Sequence, residues 1–176
     1  MQHLTRADYV AMPWANGRGT TLELARSDTA AGMEWRLSVA SVVEDCAFSL
    51  FAGVDRVLTV LDGPGFRLEG SGWVLDAAPL VPVAFPGDVA IAAVGVLAPC
   101  TDFNVMVARL GWRAEVTVDA AVTPGALGFL FALETGVARV NGVVHRLQRN
   151  DLLHLDAADR ADPAVRHIRV GLYRVA

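Results

Sequence analysis

Short apolar runs, interrupted by Gly, Pro and Asp, fill residues 51–88 and constrain the fold more than any other feature of the chain. Residues 57–61 form one such run, and it ends at the turn-forming sequence Asp-Gly-Pro-Gly of residues 62–65. Residues 66–69 then alternate between apolar and charged side chains, which is the period of a β-strand. Runs of this length with these breakers predict short antiparallel strands, and this stretch predicts half of a small β-barrel.

A second stretch, residues 127–156, repeats this pattern in a shorter form. Gly136 aligns with Gly63 when the two stretches are superimposed in sequence. Asn141-Gly142 lies between two apolar runs, which is a strong hairpin signal. Any all-β chain resembles itself to some degree at this level, but we interpret the repeat as an internal duplication.

The length and composition are compatible with this architecture. A chain of 176 residues, 53% hydrophobic and 19% charged, buries a substantial core and is too apolar to be disordered. No window has a helical period over three turns. We therefore predict an all-β, bicupin-like double barrel that forms one compact unit. Residues 1–120 would form an N-terminal cupin-like half with the ligand pocket, and residues 121–176 a shorter C-terminal half.

Charge and hydropathy argue against several classes of partner. The net charge is −4, and the 15 basic residues, all Arg, are scattered rather than clustered, so we expect no nucleic-acid partner. No apolar run approaches the ~18 residues of a membrane span, so we expect no membrane partner. The two cysteines, Cys46 and Cys100, form no disulfide framework, and as reduced thiols they predict a cytoplasmic protein.

The most unusual local sequence is the glycine-rich segment of residues 12–24. It lacks the Gly-Lys-Ser/Thr of a phosphate loop, and no helical pattern follows it. One interpretation is a surface turn with a solvated Glu23. The other is a loop at the rim of a pocket, with Asn16 and Glu23 pointing inward.

Two later strands each have one polar face. Residues 33–42 place Arg36 and Ser38 on one side, and residues 101–109 place Asp102 and Asn104 opposite an apolar side. In an open sheet such a face normally contacts water, whereas in a barrel it can line a cavity. Both interpretations remain open from the pattern alone.

The sequence offers no metal site or activated nucleophile. The four histidines, His3, His145, His154 and His167, form no His-x-His pair, and residues 53–58 contain none. The chain also has no Gly-x-Ser-x-Gly motif. We therefore expect no metal, no cofactor and no catalytic residue of these types.

Five motifs in fixed order resemble the HutD/Ves family. They are the loop Pro-Trp-x-Asn-Gly-x-Gly-Thr-Thr-x-Glu (13–23), Trp-Arg-Leu-Ser-x-Ala (35–40), Phe-Ser-x-Phe with Gly-Val-Asp-Arg (48–56), Phe-Pro-Gly-Asp (85–88) and Asp-Phe-Asn-Val-Met (102–106). The resemblance covers about residues 9–110. In that family a Lys or Arg usually follows the loop Trp, where this chain has Ala15, so one basic contact would be missing or moved to Arg18.

The resemblance implies a metal-free double cupin with a polar pocket, acting as a regulatory accessory protein in histidine breakdown. Its ligand would be a small carboxylate intermediate such as N-formylglutamate or urocanate, because Arg forks match carboxylates. The predicted ligand-binding residues are Asn16, Glu23, Arg36, Ser38, Arg56, Asp102 and Asn104.

Within this hypothesis Arg36 and Arg56 hold the carboxylate, and Asn16 and Asn104 bind its amide part. Glu23 and Asp102 would orient the arginines. A purely structural Arg–Asp network is the competing interpretation of the same residues.

Two other functions stay open from the sequence. One is a metal-independent isomerase or hydrolase with Glu23 or Asp102 as acid/base. The other is a protein-interaction module, including a homodimer, that pairs through exposed strands.

Overall fold

The computed structural model describes residues 1–13, 20–121, 123 and 125–175, which form strands β1–β18 and one 3₁₀ turn. No α-helix occurs within these ranges, so the all-β prediction is confirmed. It follows that they contain no helix with the length and hydropathy needed to cross a membrane. Contacts divide the chain into two compact units. We call Val10–Arg113, with Val175, the N-terminal unit, and Met1–Tyr9 with Ala114–Arg174 the C-terminal unit.

The N-terminal unit consists of two antiparallel sheets. Their strands are β2 (Val10–Pro13), β3 (Thr20–Thr29), β4 (Gly32–Val42), β5 (Cys46–Ala47), β6 (Val54–Asp62), β7 (Phe66–Gly70), β8 (Trp73–Ala77), β9 (Val83–Pro86), β10 (Ile91–Val94) and β11 (Cys100–Ala108). The larger sheet has the order β2-β3-β4-β11-β6-β9, and the smaller has the order β5-β10-β7-β8.

The core of this unit joins the two sheets. Leu58 and Val60 of β6 pack with Phe66 and Leu68 of β7 and with Ala93 of β10 in one buried cluster. These side chains recur at every second position, as the period of two predicts for strands with one face toward a core. The alternating stretch identified in the sequence therefore contributes side chains of β6 and β7 to this core cluster.

The C-terminal unit contains two further sheets. Its strands are β1 (Gln2–Leu4), β12 (Trp112–Val118), β13 (Leu127–Ala132), β14 (Gly136–Val140), β15 (Val143–Leu147), β16 (Leu152–Leu155), β17 (Ala161–Pro163) and β18 (His167–Arg174). β12 begins in the N-terminal unit and crosses the boundary at Arg113. The 3₁₀ turn is Arg6–Asp8. The sheet orders are β1-β16-β13-β18-β12 and β15-β14-β17.

The hairpin predicted at Asn141-Gly142 is confirmed. β14 and β15 pair antiparallel up to Val140 and Val143, so these two residues form the loop. Asn141 has φ 51° and Gly142 has φ 84°, the left-handed pair that a two-residue type I′ turn needs. The first stretch contains a matching hairpin, because β7 and β8 pair up to Gly70 and Trp73.

None of the four sheets closes on itself within the described ranges. The coarser prediction of an all-β chain is confirmed, and the closed double barrel stays a prediction. The division into cupin-type halves at residues 1–120 and 121–176 also stays a prediction.

Candidate functional site

A cavity of about 410 Å³ lies within the N-terminal unit, and we call it the N-terminal cavity. Its wall combines the polar face of β4 and β11 with the segment that follows β4. The lining residues are Met12, Pro13, Thr21, Arg36, Ser38, Ala40, Val42, Cys46, Ala47, Phe48, Ser49, Phe51, Arg56, Asp102, Asn104 and Met106. A cavity of this volume falls within the range of small-molecule sites.

Strand register brings the polar side chains of this wall together. β11 lies between β4 and β6, and Met106 pairs with Arg36 on one side and Arg56 on the other. Asn104 is opposite Ser38 in the same register. Because directly paired residues point to the same face of a sheet, both arginines share a face with the polar residues of β11.

Three buried polar side chains form a chain of hydrogen bonds in the cavity wall. The Arg56 Nε–H donates to Asn104 Oδ1 at 3.2 Å, and Asn104 Nδ2–H donates to Asp102 Oδ1 at 3.1 Å. Arg56 is 8% exposed and Asp102 is 1% exposed, so both charges lie largely out of water. Asn104 therefore connects a buried cation to a buried carboxyl group and satisfies one hydrogen-bonding atom of each.

Burial shifts the pKa of both charged groups toward the neutral form. Desolvation raises the pKa of the Asp102 carboxyl to about 6, although the Asn104 hydrogen bond and the Arg56 charge oppose that shift. The pKa of Arg56 is lowered to about 10, mainly by desolvation. The charge of Asp102 opposes this shift, and the charge of Arg36 adds to it. At neutral pH Arg56 remains a cation, and Asp102 titrates just below neutrality.

Three aromatic rings surround the Arg56 guanidinium. Its central carbon lies 5.0 Å from the ring centroid of Phe48, 5.0 Å from Phe85 and 5.7 Å from Phe51. Such distances allow cation–π attraction, which is strongest where the cation is desolvated. The rings fix the position of the guanidinium plane without occupying its hydrogen-bond donors.

Glu23 contacts Arg36 without lining the cavity. Its Oε2 lies 2.8 Å from Arg36 Nε, but the N–H is not directed at the oxygen, so the contact is an ion pair rather than a directed hydrogen bond. Arg26 Nη1 lies 3.7 Å from the same oxygen. A β-bulge in β3 between Glu23 and Ala25 locally changes the register with β4.

Five of the predicted ligand-binding residues meet in this cavity: Arg36, Ser38, Arg56, Asp102 and Asn104. Glu23 contacts Arg36 but does not line the cavity. Asn16 lies outside the described residues. Ligand binding by these residues stays a prediction.

The prediction missed the aromatic residues around Arg56. Phe48, Phe51 and Phe85 contributed to the sequence motifs, but they were not assigned to the site. Their signal was the recurrence of Phe on both sides of the strand that carries Arg56.

The residues that line the N-terminal cavity include no histidine. All four histidines belong to the C-terminal unit. Within the described ranges no group of three or more His, Cys, Asp or Glu side chains is placed to hold a metal ion. Burial raises the pKa of the Cys46 thiol in the cavity wall, which disfavours its thiolate form.

Comparison with known proteins identifies the family. The model of the HutD family matches residues 6–169 of the chain. The chain belongs to the HutD family. The resemblance that the motifs predicted is thus confirmed, and it extends well beyond residue 110.

Relatives and solved structures agree with this assignment. An uncharacterised 21.2 kDa protein from the hutC 3′ region of Pseudomonas putida is 34% identical over 171 residues, covering 90% of this chain and 88% of that protein. Protein Ves of Citrobacter koseri is 36% identical over 110 residues, covering 60% of this chain and 56% of that protein. The structure of HutD from Pseudomonas fluorescens SBW25 has a TM-score of 0.84 at 31% identity and covers 99% of both chains.

A more distant likeness establishes the fold type. A Cupin 2 conserved barrel domain protein from Leptotrichia buccalis has a TM-score of 0.58 at 8% identity, covering 90% of this chain and 89% of that one. At this identity the likeness concerns the fold alone. The chain therefore has a cupin-like all-β fold.

Proposed function

We propose that this protein is a regulatory accessory protein that binds a carboxylate intermediate of histidine degradation in the N-terminal cavity. The observation that carries the proposal is the state of Arg56, which is buried, held at Nε and surrounded by three phenylalanine rings. Its two terminal nitrogens make no hydrogen bond to any residue in the described ranges. A guanidinium held in this way presents a free two-donor edge to the cavity.

That free edge matches a carboxylate. Parallel N–H donors on one edge of Arg bind both oxygens of a carboxylate, and such charge-assisted pairs are stronger than neutral hydrogen bonds. The Asn104 contact and the aromatic rings fix the orientation of the Arg56 guanidinium before a ligand binds, which lowers the entropic cost of binding. Arg56 is therefore the proposed carboxylate anchor.

Arg36 lines the same wall, and the ion pair between its Nε and Glu23 partly compensates its charge. We propose that its terminal nitrogens bind the second carboxylate of a ligand that has two. N-formylglutamate has two carboxylates and a formamide group, and we propose that Ser38 and Asn104, which line the same wall, bind the formamide. Urocanate has one carboxylate, so we expect it to bind more weakly than N-formylglutamate.

The names of two relatives support the choice of pathway. The Pseudomonas putida relative comes from a hutC region, and the Pseudomonas fluorescens relative is HutD. The proposal therefore extends the histidine-utilisation context of these relatives to the present chain. A cytoplasmic location, two cupin-type halves and a homodimer are further parts of our proposal.

Isothermal titration calorimetry tests the carboxylate anchor. N-formylglutamate, urocanate and glutamate are titrated into the parent, into Arg56→Gln and into the control Arg67→Gln, which removes an exposed arginine paired with Glu69 outside the cavity. We expect saturable binding of N-formylglutamate that Arg56→Gln abolishes and Arg67→Gln preserves. Equal affinity in Arg56→Gln and the parent would contradict the role of Arg56.

A second candidate function is metal-independent catalysis, and the titration of Asp102 favours it. A carboxyl group with a pKa of about 6 inside a cavity is suited to proton transfer near neutral pH. Turnover of either metabolite, followed by chromatography and lost in both Asp102→Asn and Glu23→Gln, would establish an enzyme. Binding without turnover would contradict the enzyme hypothesis and support the regulatory function.

A further inference from the structure

The C-terminal unit has a cavity of its own, separate from the site described above. We call it the C-terminal cavity, and its volume is about 260 Å³. Its lining residues are Asp119, Ala120, Ala121, Ala161, Pro163, His167 and Arg169. The wall thus combines a small apolar side, built from alanine and proline, with a polar side from β18.

Arg169 is the unusual member of this wall. Its Nε is buried and has no hydrogen-bond partner within the described ranges. Burial alone lowers the pKa of Arg169, and no neighbouring carboxylate raises it. Arg169 as a whole is half-buried, and a partly desolvated charge is stabilised when an anion pairs with it. Within the described ranges Arg169 has no such counter-ion.

His167 lies two residues before Arg169 on the same face of β18. The His167 ring is buried, and its Nδ1–H donates to the carbonyl oxygen of Val165 at 2.9 Å. A carbonyl oxygen only accepts hydrogen bonds, so this contact fixes the hydrogen on Nδ1. Nε2 makes no hydrogen bond within the described ranges, which leaves it for a ligand.

The one carboxylate in the wall is already occupied. Asp119 accepts hydrogen bonds from Arg166 Nε at 2.9 Å and from the His167 backbone N–H at 2.8 Å. Arg166 Nη2 lies 2.8 Å from the same side chain. Asp119 is therefore neutralised by Arg166, and no other carboxylate of the described residues compensates the charge of Arg169.

We propose that the C-terminal cavity is a second anion site, in which Arg169 binds the carboxylate of a short-chain monocarboxylate and the Ala and Pro side chains contact its apolar tail. This site goes beyond the proposed function, since it shares no residue with the N-terminal cavity. The cavity is smaller than a drug-sized pocket, which limits the ligand to a few carbon atoms. A planar guanidinium favours carboxylate over a spherical anion because its donors are arranged as a fork.

Residue-resolved NMR of the ¹⁵N-labelled full chain tests the proposal. Sodium butyrate is titrated at constant ionic strength, which keeps screening constant, and butylammonium serves as the control of opposite charge. The variants are Arg169→Gln and the matched control Arg139→Gln, an exposed arginine of β14 that does not line the cavity. Signals of residues 119–121 and 161–169 report on this cavity, independently of the N-terminal one.

We expect saturable shifts of these signals in the parent and in Arg139→Gln, with a Kd that Arg169→Gln weakens at least about tenfold. Melting temperature gives a second readout that does not depend on the spectrum. Butyrate should raise it in a variant lacking Arg56 as well as in the parent, but not in Arg169→Gln. Three outcomes would each contradict the proposed second anion site. They are unchanged butyrate shifts in Arg169→Gln, the same shifts with butylammonium, and shifts that do not saturate.

Discussion

Arg56 and Arg169 are both desolvated arginines in cavity walls, but their surroundings differ. Arg56 has a hydrogen bond to Asn104, three aromatic neighbours and the charge of Asp102 nearby. Arg169 has no partner for its buried Nε within the described ranges. Arg56 is buried and its charge is compensated within the folded protein, whereas Arg169 is half-buried and is the arginine for which we propose an external anion.

The largest expected effect comes from removing the residue that connects the Arg56 network. Asn104→Leu leaves both Arg56 Nε and the Asp102 carboxyl without their hydrogen bonds, so it should lower the free energy of unfolding by about 3 kcal/mol. Urea unfolding followed by circular dichroism measures this. Ser38→Ala is the control, because Ser38 is equally buried in the same wall and makes no side-chain hydrogen bond within the described ranges. If the two variants lost the same stability, the network would have no structural role.

A smaller effect is expected when the charge of Arg56 is kept but its shape is changed. Arg56→Lys cannot bind Asn104 and both oxygens of a carboxylate at once, so N-formylglutamate affinity should fall about tenfold to a hundredfold. Calorimetry measures the change, and Arg67→Lys, at an exposed position of β7, is the control. Equal affinities in Arg56→Lys and the parent would mean that the site requires only a positive charge.

The pH dependence of binding tests the electrostatic role of Asp102. Its folded pKa of about 6 means that the carboxylate is charged at pH 7.5 and largely protonated at pH 5, whereas the ligand carboxyls stay ionised. Repulsion of the ligand therefore decreases as pH falls through 6, and affinity should rise on the order of tenfold. Asp102→Asn keeps an acceptor for Asn104 but removes the titration, so its affinity should stay constant over this range. A parallel pH slope in both proteins would assign the titration to another group.

The smallest expected effect is on the free energy of unfolding, and it is a gain, whereas Asn104→Leu should cause a loss. Arg169→Met replaces a half-buried arginine, whose buried Nε has no partner in the described ranges, by an unbranched apolar side chain, so the free energy of unfolding should stay constant or rise by about 1 kcal/mol. Urea unfolding without carboxylate in the buffer measures it. A loss of more than about 1 kcal/mol would show that Arg169 is held by the protein in the same way as Arg56.

Local alternation predicted much of the N-terminal cavity from the sequence. A period of two placed Arg36 with Ser38 and Asp102 with Asn104 on polar faces, and the structure brings these four residues into one wall. The pattern does not fix which strands are neighbours, because pairing is set by long-range packing. For this reason the position of β11 between β4 and β6, which brings Arg36 near Arg56, was not predictable from the pattern.

Other features have no local signal at all. Glu23 lies directly opposite Ser38 in the register of β3 and β4, and its carboxylate contacts Arg36 without lining the cavity. The sequence pattern leaves a solvated Glu23 and an inward-pointing Glu23 both open. The C-terminal cavity depends on contacts between β18 and residues 119–121 and 161–163, which lie far apart in sequence. The sequence pattern indicated no binding role for His167 or Arg169.

A crystal structure of the complex with N-formylglutamate distinguishes the two cavities. We expect density in the N-terminal cavity, with a ligand carboxylate at about 2.7–2.9 Å from both terminal nitrogens of Arg56. We also expect the Arg56–Asn104 hydrogen bond to stay in place. A ligand bound away from Arg56, or bound only at Arg169, would contradict the role of Arg56 as the carboxylate anchor.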